Sequence, residues 1–374
     1  MAKKADKKKL EKTYGTFEIV GRVKLGKDHY VDTQSESGYV YRKVNFSVDT
    51  GNGNKPYVIA MGGFNPTNPQ PIRLWDKGVQ TEIDWSDRFN PSVLKKIPNY
   101  KFHKVALEKD DSDKLVYKEF LDMYDAIEEM GDKLHDGMVV KITGDLKYQD
   151  YKDNVSVQKE IKNIYLSDET EDKFHATFKQ GIVTTKDGFD EDEFKKTGEI
   201  HLTAVVFDYE KEAQGNRPFR FNYVLDVKNF KSQEGFKTLR KLMKPDNSDS
   251  TIYIEIVGKI KESRNIRKAT LDDYDEETRS LIESGLMEEE DLLNVNVVEG
   301  EGEKVVRWDI TNLQIKEDKE TKKRSYVRII DKYSMEDLVY ASKSQEYDLN
   351  NDLDEIDLGD LDDLDGLDDD DVPF

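Results

Sequence analysis

The strongest constraint on the fold of this chain is an internal repeat of one strand pattern. Residues 140–147 (VKITGDLK) match residues 254–261 (IEIVGKIK). Both stretches alternate apolar and polar side chains and place a glycine at the same step, Gly144 in one and Gly258 in the other. Alternation with period two predicts a half-buried β-strand, and a glycine inside it indicates a bend or a bulge. The chain is therefore expected to contain two copies of one β-rich unit.

The order of the predicted elements repeats as well. Thr16-Phe17 and Thr177-Phe178 open the two copies, and residues 161–166 match residues 310–315 near their ends. Each copy is predicted to contain three strands, a helix and two further strands, which is the order of an OB-fold barrel. The predicted strands of the first copy are residues 17–25, 39–48, 57–64, 138–147 and 155–166, with a helix at 117–134. Those of the second copy are residues 178–184, 199–209, 219–227, 252–261 and 305–315, with a helix at 235–243.

The predicted fold class is therefore mainly β, with two tandem OB-fold-like five-stranded barrels and a helix between strands three and four of each. The first domain is placed at residues 14–170 with a long insertion at 65–115, and the second at 174–340 with an acidic insertion at 268–302. A basic N-terminus, residues 1–13, and an acidic tail, residues 345–374, are both expected to be disordered. Insertions of this length are usually functional or disordered.

The net charge of −21 is concentrated in two separable segments. From Glu346 onward the chain holds 14 acidic and no basic residues, and residues 271–292 hold ten acidic residues and one arginine. The rest of the chain is close to neutral, so local basic patches can bind phosphates despite the acidic total. The tail cannot bury enough apolar surface to offset the entropy lost on ordering, which predicts a solvated segment.

Several kinds of site are excluded or find no support. The chain has no cysteine, which excludes disulfides, thiolate metal sites and cysteine nucleophiles. Its five histidines show no metal-ligand spacing, and the common phosphate-binding, dinucleotide-binding and hydrolase motifs are missing from the sequence. We therefore expect no cofactor, no metal and no enzymatic activity. Without a bilayer-spanning apolar run or an apolar N-terminal signal region, the protein is expected to be cytoplasmic, with no membrane contact.

Tyrosine and lysine residues alternate with apolar residues on the predicted strand at 39–48. Its even positions predict the buried face, so its odd positions face outward. An exposed ring can stack on a base while an ammonium contacts a phosphate, which is what binding a single strand requires. Basic and tyrosine residues also cluster where the fourth strand of each copy ends, whereas Phe219, Phe221 and Tyr223 are expected to face the core. The predicted contacts with single-stranded DNA are Tyr39, Tyr41, Lys43, Lys147, Tyr148, Tyr151, Lys152, Arg220, Lys259, Lys261, Arg264 and Arg267.

The last residues of the sequence form a second candidate site. A partner pocket with an apolar slot and a basic rim would hold a terminal ring and carboxylate that follow a run of acids. This ending resembles the tip of bacterial single-stranded-DNA-binding proteins (SSBs), and some phage-encoded SSBs also end in an acidic tail with a terminal phenylalanine. The residues that carry the resemblance, and the predicted partner-binding site, are Asp368, Asp369, Asp370, Asp371, Val372, Pro373 and Phe374.

The resemblance implies a non-catalytic protein that coats and protects single-stranded DNA during replication, recombination or repair. Its tip would recruit a helicase, primase, polymerase or recombinase. Two barrels on one chain and two large insertions depart from the bacterial pattern, which points to a phage-encoded form acting in the host cytoplasm and leaves the oligomeric state open. The alternatives are a recombination or replication mediator acting mainly through protein–protein contacts, a DNA nuclease with unidentified metal ligands, and an RNA-binding OB protein.

Overall fold

The computed structural model describes residues 10–76, 79–151, 154–264, 266–268, 278–280, 284, 296–298, 304–318 and 321–339. The basic N-terminus up to residue 9, most of the acidic insertion, and the acidic tail with its tip lie outside these residues. We call residues 14–170 the first half and residues 174–339 the second half. Among the helices that the structure describes, none has the length and apolar character that crossing a membrane requires.

The first half is mainly β. Its elements are β1 (Gly15–Lys24), β2 (Tyr30–Gln34), β3 (Val40–Asp49), β4 (Tyr57–Phe64), β5 (Ile72–Asp76), β6 (Val79–Ile83), α1 (Pro91–Leu94), β7 (His103–Ala106), β8 (Lys118–Phe120), α2 (Met123–Lys133), β9 (Val139–Tyr151) and β10 (Asn154–Leu166). β1 pairs with β3 and β9, β3 with β4, and β9 with β10, while β10 runs parallel to β4 and closes the ring. This closed five-stranded barrel confirms the predicted mainly β fold with a barrel.

The second half is also rich in strands. Its elements are β11 (His175–Thr184), β12 (Phe189–Asp190), α3 (Phe194–Thr197), β13 (Glu199–Glu210), β14 (Gly215–Asp226), α4 (Gln233–Met243), β15 (Ile252–Arg264), β16 (Ile266–Lys268), β17 (Asn296–Val298), β18 (Lys304–Leu313), β19 (Ile315–Glu317), β20 (Arg324–Tyr326) and β21 (Arg328–Ile330). β11 pairs with β13 and β15, β13 with β14, β15 with β18, and β14 with β18 in parallel. The pairing order of these strands matches that of the first half.

The two halves are joined through their first strands. β1 and β11 form an antiparallel ladder in which Phe17 pairs with Phe178. Since these are the equivalent residues of the sequence repeat, the ladder relates the two first strands by a local two-fold axis. The apolar residues of both halves then pack into one continuous core.

Each repeat glycine lies beside the phenylalanine of its own half. Gly144 pairs with Phe17, and Gly258 pairs with Phe178. A side chain on either glycine would run into that aromatic ring and into a backbone carbonyl oxygen of a neighbouring strand, so both positions require glycine. The strand register shifts beside both glycines, which confirms the predicted irregularity, although the extra residue lies on the partner strand, β10 or β18.

The inward positions of the strands follow the predicted alternation. On β3, Val44, Phe46 and Val48 are fully buried. On β14, Phe219 and Tyr223 are buried as predicted, whereas Phe221 is only partly buried at the edge of the core. The edge position of Phe221 leaves its ring within reach of a ligand.

The long insertion of the first half is folded. It contains the hairpin of β5 and β6, helix α1 and strand β7. Ile72, Ile83, Phe102 and Leu121 form a small core of its own. β7 runs parallel to β10, and this pairing attaches the insertion to the barrel.

The helix predicted at residues 117–134 is shorter in the structure. Its first predicted turn is instead the strand β8, which pairs with β7 of the insertion. Asp122 begins α2, because its side chain accepts a hydrogen bond from the backbone N–H of Tyr124 at 2.8 Å. A tertiary pairing and a helix cap therefore set the boundary that the sequence pattern placed too early.

Candidate nucleic-acid interface

A groove of about 820 Å³ lies where the two halves meet, and we call it the central groove. Its first wall comes from β3, β4 and the hairpin of β9 and β10, and its second wall from β14, β15 and β18. Because each half supplies one wall, the groove depends on the packing of the halves against each other. Its principal lining residues are Lys43, Tyr57, Ile59, Tyr151, Arg220 and Phe221.

Two cations in the central groove lack a counter-charge. Neither Lys43 nor Arg220 has a carboxylate partner among the described residues. Many other basic side chains on the barrel surface do have one, such as Lys141, whose ammonium lies 2.8 Å from the Glu18 carboxylate. Partial burial without a nearby anion lowers the pKa of Lys43 from its usual value. A phosphate bound in the groove would supply the missing negative charge to both side chains.

Three aromatic rings accompany these cations. Tyr151 is 51% exposed. Phe221 packs edge-on against the buried Trp308, with 5.3 Å between the ring centroids. Burial raises the pKa of Tyr57 to about 12, so its hydroxyl stays protonated at neutral pH and remains a hydrogen-bond donor. Rings placed beside unpaired cations are the elements that bind unstacked bases and their phosphates.

Amide side chains supply most of the remaining polar surface of the central groove. Gln149, Asn154, Gln158 and Asn222 all line it. An amide both donates and accepts hydrogen bonds, so it can pair with differing base edges. At the groove floor, the indole N–H of Trp308 has no hydrogen-bond partner in the part of the chain that the structure describes. The groove therefore offers hydrogen bonds that are not specific for one type of base.

A buried ion pair at the floor of the groove ties the two halves together. The ammonium of Lys159 contacts the carboxylate of Glu262, and the two side chains are only 4% and 3% exposed. The same carboxylate accepts a hydrogen bond from the Tyr57 backbone N–H at 3.1 Å, and the Glu262 backbone N–H donates to the Asn54 side chain at 2.7 Å. The loop between β3 and β4 is thereby held against β15. Because these charges are paired and buried, their role is structural.

The structure brings three of the predicted DNA contacts into the central groove, namely Lys43, Tyr151 and Arg220. Tyr41 lies two residues before Lys43 on β3 and is partly buried outside the groove lining. Tyr39 directly precedes β3, and its burial raises the pKa of its hydroxyl. The outward positions of β3 thus continue past one end of the groove.

The predicted DNA contact of Tyr148 is wrong for this fold. Its side chain is 2% exposed, and its hydroxyl hydrogen-bonds Gln180 at 3.2 Å and Tyr223 at 3.1 Å in the core. Tyr148 has the same inward parity on β9 as the buried Leu146. The alternation of buried and exposed residues therefore continues past residue 147, where the predicted strand ended.

Three predicted lysines do not line the central groove. Lys147 pairs with Glu160 at 3.5 Å, and Lys261 pairs with the buried Asp309 at 2.6 Å. Lys259 is exposed on β15. The structure therefore places these cations apart from the rings and amides of the groove.

The remaining predicted site residues fall partly or wholly outside the description. Arg264 ends β15 and Arg267 lies in β16, and only their backbone is described. Lys152 and the tip residues from Asp368 to Phe374 lie outside the described residues. The predictions for all of them stay predictions.

Sequence analysis missed Tyr57 and Ile59, although a usable signal was present. In the hairpin of β3 and β4, Ile59 pairs with Asn45 and Met61 pairs with Lys43. Applying the outward parity of β3 to its partner strand would have selected the odd residues of β4 as well. The contribution of Trp308 has no comparable local signal, since it depends on how the halves pack.

The surface of the second half that corresponds to the β3 surface is covered. The side chains of Val205 and Phe207 on β13 are buried under Tyr333, Leu338 and Leu10, which belong to the two ends of the described chain. The rings of Phe207 and Tyr333 stack with centroids 4.4 Å apart. Leu10 and the segment from Tyr333 to Leu338 therefore occupy the place where a ligand would otherwise contact this strand.

Comparisons with known proteins give one family and two structural similarities. A family model described as YorF matches residues 14–279, which is well over half of the chain. Two solved structures of the single-stranded DNA binding protein from Thermus aquaticus, a deletion mutant that also carries a point substitution and the wild type, each give a TM-score of 0.31 and 11% identity over 68% of this chain. The matched regions cover 89% of the deletion-mutant chain and 87% of the wild-type chain. A TM-score this low does not establish a shared fold. No curated protein matches the sequence.

Proposed function

This chain belongs to the YorF family, and from its central groove we propose that it binds single-stranded DNA without catalysing a reaction on it. The strand lies between the two halves, with its phosphates at Lys43 and Arg220 and its bases against Tyr57, Tyr151 and Phe221. Binding tolerates many sequences, because every base has a face on which a ring can stack.

One observation carries this proposal: two cations without counter-charges share a groove with aromatic rings and amides. Cations alone would fit any polyanion, including duplex DNA. The rings add a preference for single strands, because bases must be unstacked before a side chain can stack on them.

The direct test is fluorescence titration of the full chain with oligo-dT at several salt concentrations. We expect Lys43→Ala and Arg220→Ala each to weaken binding and to reduce the slope of log affinity against log salt by about 0.7, the value for one phosphate contact on a single strand. Lys147→Ala is the matched control, because that lysine is ion-paired with Glu160 outside the groove. Equally tight binding to duplex DNA, or groove variants that behave like the control, would overturn the proposal.

We further propose that the two halves are OB barrels in tandem, occupying residues 14–170 and 174–340. The matching pairing order of their strands supports this arrangement. The protein would coat and protect single strands during DNA replication, recombination or repair in the cytoplasm, and the SSB-like tip suggests a phage-encoded form. If these domains are correct, limited proteolysis should cut first in the acidic insertion and the tail and leave the barrels whole.

Protein recruitment through the tip is a separate part of the proposal. The expected partner is a helicase, primase, polymerase or recombinase with an apolar slot and a basic rim. We expect Phe374→Ala to lower partner affinity by about 2 kcal/mol or more, as for a buried aromatic anchor, while leaving oligo-dT binding unchanged. Leu367→Ala, an apolar truncation just before the four aspartates, is the control. Equal recovery of partners by wild type and Phe374→Ala would show that the tip is not the anchor.

Two other outcomes would redirect the assignment. A protein that captures replication proteins but binds oligo-dT only weakly after removal of residues 346–374 would be a mediator acting through protein contacts. Cleavage of a labelled single strand in the presence of Mg²⁺ or Mn²⁺ would identify a nuclease.

A further inference from the structure

The insertion of the first half contains a basic segment in an otherwise acidic chain. Residues 88–107 hold five cationic and no acidic residues, whereas the whole chain has a net charge of −21. Aromatic residues are interleaved with these cations, and two of them, Phe89 and Tyr100, are each 56% exposed. Neither the central groove nor the tip uses this segment.

The small core of the insertion holds an exposed pair of rings in place. Trp75 is 59% exposed on β5, and Ile72, the first residue of the same strand, is buried in that core. Tyr100 lies in the short 3-10 helix Asn99–Lys101, directly before the buried Phe102. Each exposed ring is therefore attached to a residue or strand that the core anchors, so neither belongs to a free loop.

Lys101 and Asp76 tie together the two segments that carry these rings. The ammonium of Lys101 donates to the backbone carbonyl of Trp75 and lies 5.1 Å from the centroid of the Tyr100 ring. The hydroxyl of Tyr100 hydrogen-bonds the carboxylate of Asp76, the residue after Trp75, and this bond raises the pKa of Tyr100. These contacts hold both residues in place, with the Lys101 ammonium beside the Tyr100 ring.

Two further cations complete the surface. Lys95 caps the C-terminus of α1 and Lys96 follows it; both are exposed. Neither has a carboxylate partner within the described ranges. Arg88, in contrast, is bonded to Asp125 at 2.8 Å and is not available. We call Trp75, Lys95, Lys96, Tyr100 and Lys101 the insertion platform.

The insertion platform lies within reach of a DNA single strand that leaves the central groove. The start of β10 lines the groove, and Asn163 to Tyr165 of the same strand pair with β7 of the insertion. At roughly 3.3 Å per residue, position 163 is about 20 Å along β10 from Val157 in the groove. β4 also runs from the groove, at Tyr57 and Ile59, directly into the insertion.

We propose that the insertion platform is a second contact for the same DNA single strand that occupies the central groove. This inference rests on the proposed function. Trp75 and Tyr100 stack on bases, and Lys95 and Lys96 neutralise phosphates. A nucleic acid fits better than a protein surface, because the platform combines flat rings with exposed cations at the end of α1, which packs on the same small core, and these cations lack counter-charges among the described residues. A strand long enough to span both sites gains affinity through the high effective concentration of its second part.

The test compares a short and a long oligo-dT, of about 8 and about 30 nucleotides, on the full chain. We expect Trp75→Ala to weaken binding of the long oligonucleotide roughly 5- to 100-fold, the loss typical of one stacked base, and to leave the short one unchanged. The double variant Lys95→Gln/Lys96→Gln should weaken binding of the long oligonucleotide and lower the salt dependence of that binding. Tyr117→Ala is the control, since Tyr117 is 58% exposed but lies in an acid-rich stretch outside the platform.

The outcomes separate this inference from the proposed function. If the short oligonucleotide binds normally and neither platform variant affects the long one, the platform is not a DNA contact, while the groove assignment stands. If wild type binds neither oligonucleotide, the proposed function itself fails. Should Trp75→Ala lose its fold by circular dichroism, the lysine double variant, which changes only exposed side chains, decides the matter. Unchanged DNA affinity with loss of a bound protein would mark the platform as a protein-docking surface and overturn the proposal.

Discussion

The two halves share one order of strand pairing, yet they present different surfaces at equivalent strands. In the first half, the outward side of β3 carries Tyr41 and Lys43 and opens into the central groove. In the second half, the outward residues Val205 and Phe207 of β13 are buried under Tyr333 and its neighbours. The first half has a polar open surface, and the second has an apolar surface covered by Leu10, Tyr333 and Leu338.

This difference teaches that a duplicated strand plan does not duplicate a binding site. The inward residues of the strands form the core, and they are mostly apolar in both halves. The outward residues, together with whatever chain segment packs on them, decide whether a surface is available to a ligand. The central groove is a joint product of the open surface of the first half and the β14 edge of the second.

Separating the halves should have the largest effect on stability. Replacing Lys159 alone with Met removes the ammonium that faces the buried Glu262 carboxylate, so we expect the free energy of unfolding to fall by about 3–5 kcal/mol. The double variant Lys159→Met/Glu262→Met should lose much less, because no buried charge remains without a partner. Urea unfolding of the three proteins measures both values. Equal losses in the single and double variants would mean that the pair does not hold the joint.

Uncovering the second half should have the next largest effect. Tyr333→Ala removes a ring that is stacked on Phe207 and 3% exposed, so it should cost about 3 kcal/mol of unfolding free energy. Met335→Ala, which truncates a more exposed side chain nearby, should cost far less. Oligo-dT affinity should stay unchanged in both variants. Tighter DNA binding by Tyr333→Ala would instead reveal a second, masked DNA surface and remove the contrast between the halves.

A smaller effect is expected on the open surface beside the groove. Tyr41→Ala should weaken oligo-dT binding by about 1–2 kcal/mol if its ring stacks on a base that leaves the groove. Tyr209→Ala removes a ring from β13 that is 54% exposed and should leave the affinity unchanged. Similar losses of oligo-dT affinity from both substitutions would show that the DNA contacts both halves.

The last prediction concerns acid stability and is measured as the slope of the free energy of unfolding against pH. Burial lowers the pKa of His103 on β7 to about 4, below its ordinary value of 6.5, so the folded state favours the neutral ring. The unfolded chain binds this proton first as the pH falls, and stability should therefore be lost between about pH 6.5 and pH 4. His103→Gln should flatten the fall by up to about 1 kcal/mol per pH unit. His201→Gln, at an exposed position of the second half, is the control for the loss of a histidine in the same denaturation series.

Most of the barrel could be predicted because its signal is local. The period of two and the repeated Gly144 and Gly258 placed the strands within a few residues of their observed ends. The start of α2 could not be placed, because β8 exists only through its pairing with β7, a tertiary contact. The core of the insertion was missed for the same reason, since Ile72 and Leu121 come together only in the fold.

The candidate site was less predictable than the fold. Outward parity selected Lys43 and Arg220 correctly as accessible cations, but it could not show that they share a groove. Lys147 and Lys261 have equally basic sequence surroundings, yet each forms an ion pair. Whether a cation has a partner depends on neighbouring strands, and that information is not present in the alternation of a single strand.

The ladder between β1 and β11 has a consequence for how the protein behaves at low abundance. Two separate barrels joined by such a ladder would come apart on dilution, and a groove shared between them would be lost with the contact. Here both halves belong to one polypeptide, so the effective concentration of each half for the other is fixed by the chain and not by the amount of protein. Each molecule thus keeps both walls of the groove assembled, even when few copies are present.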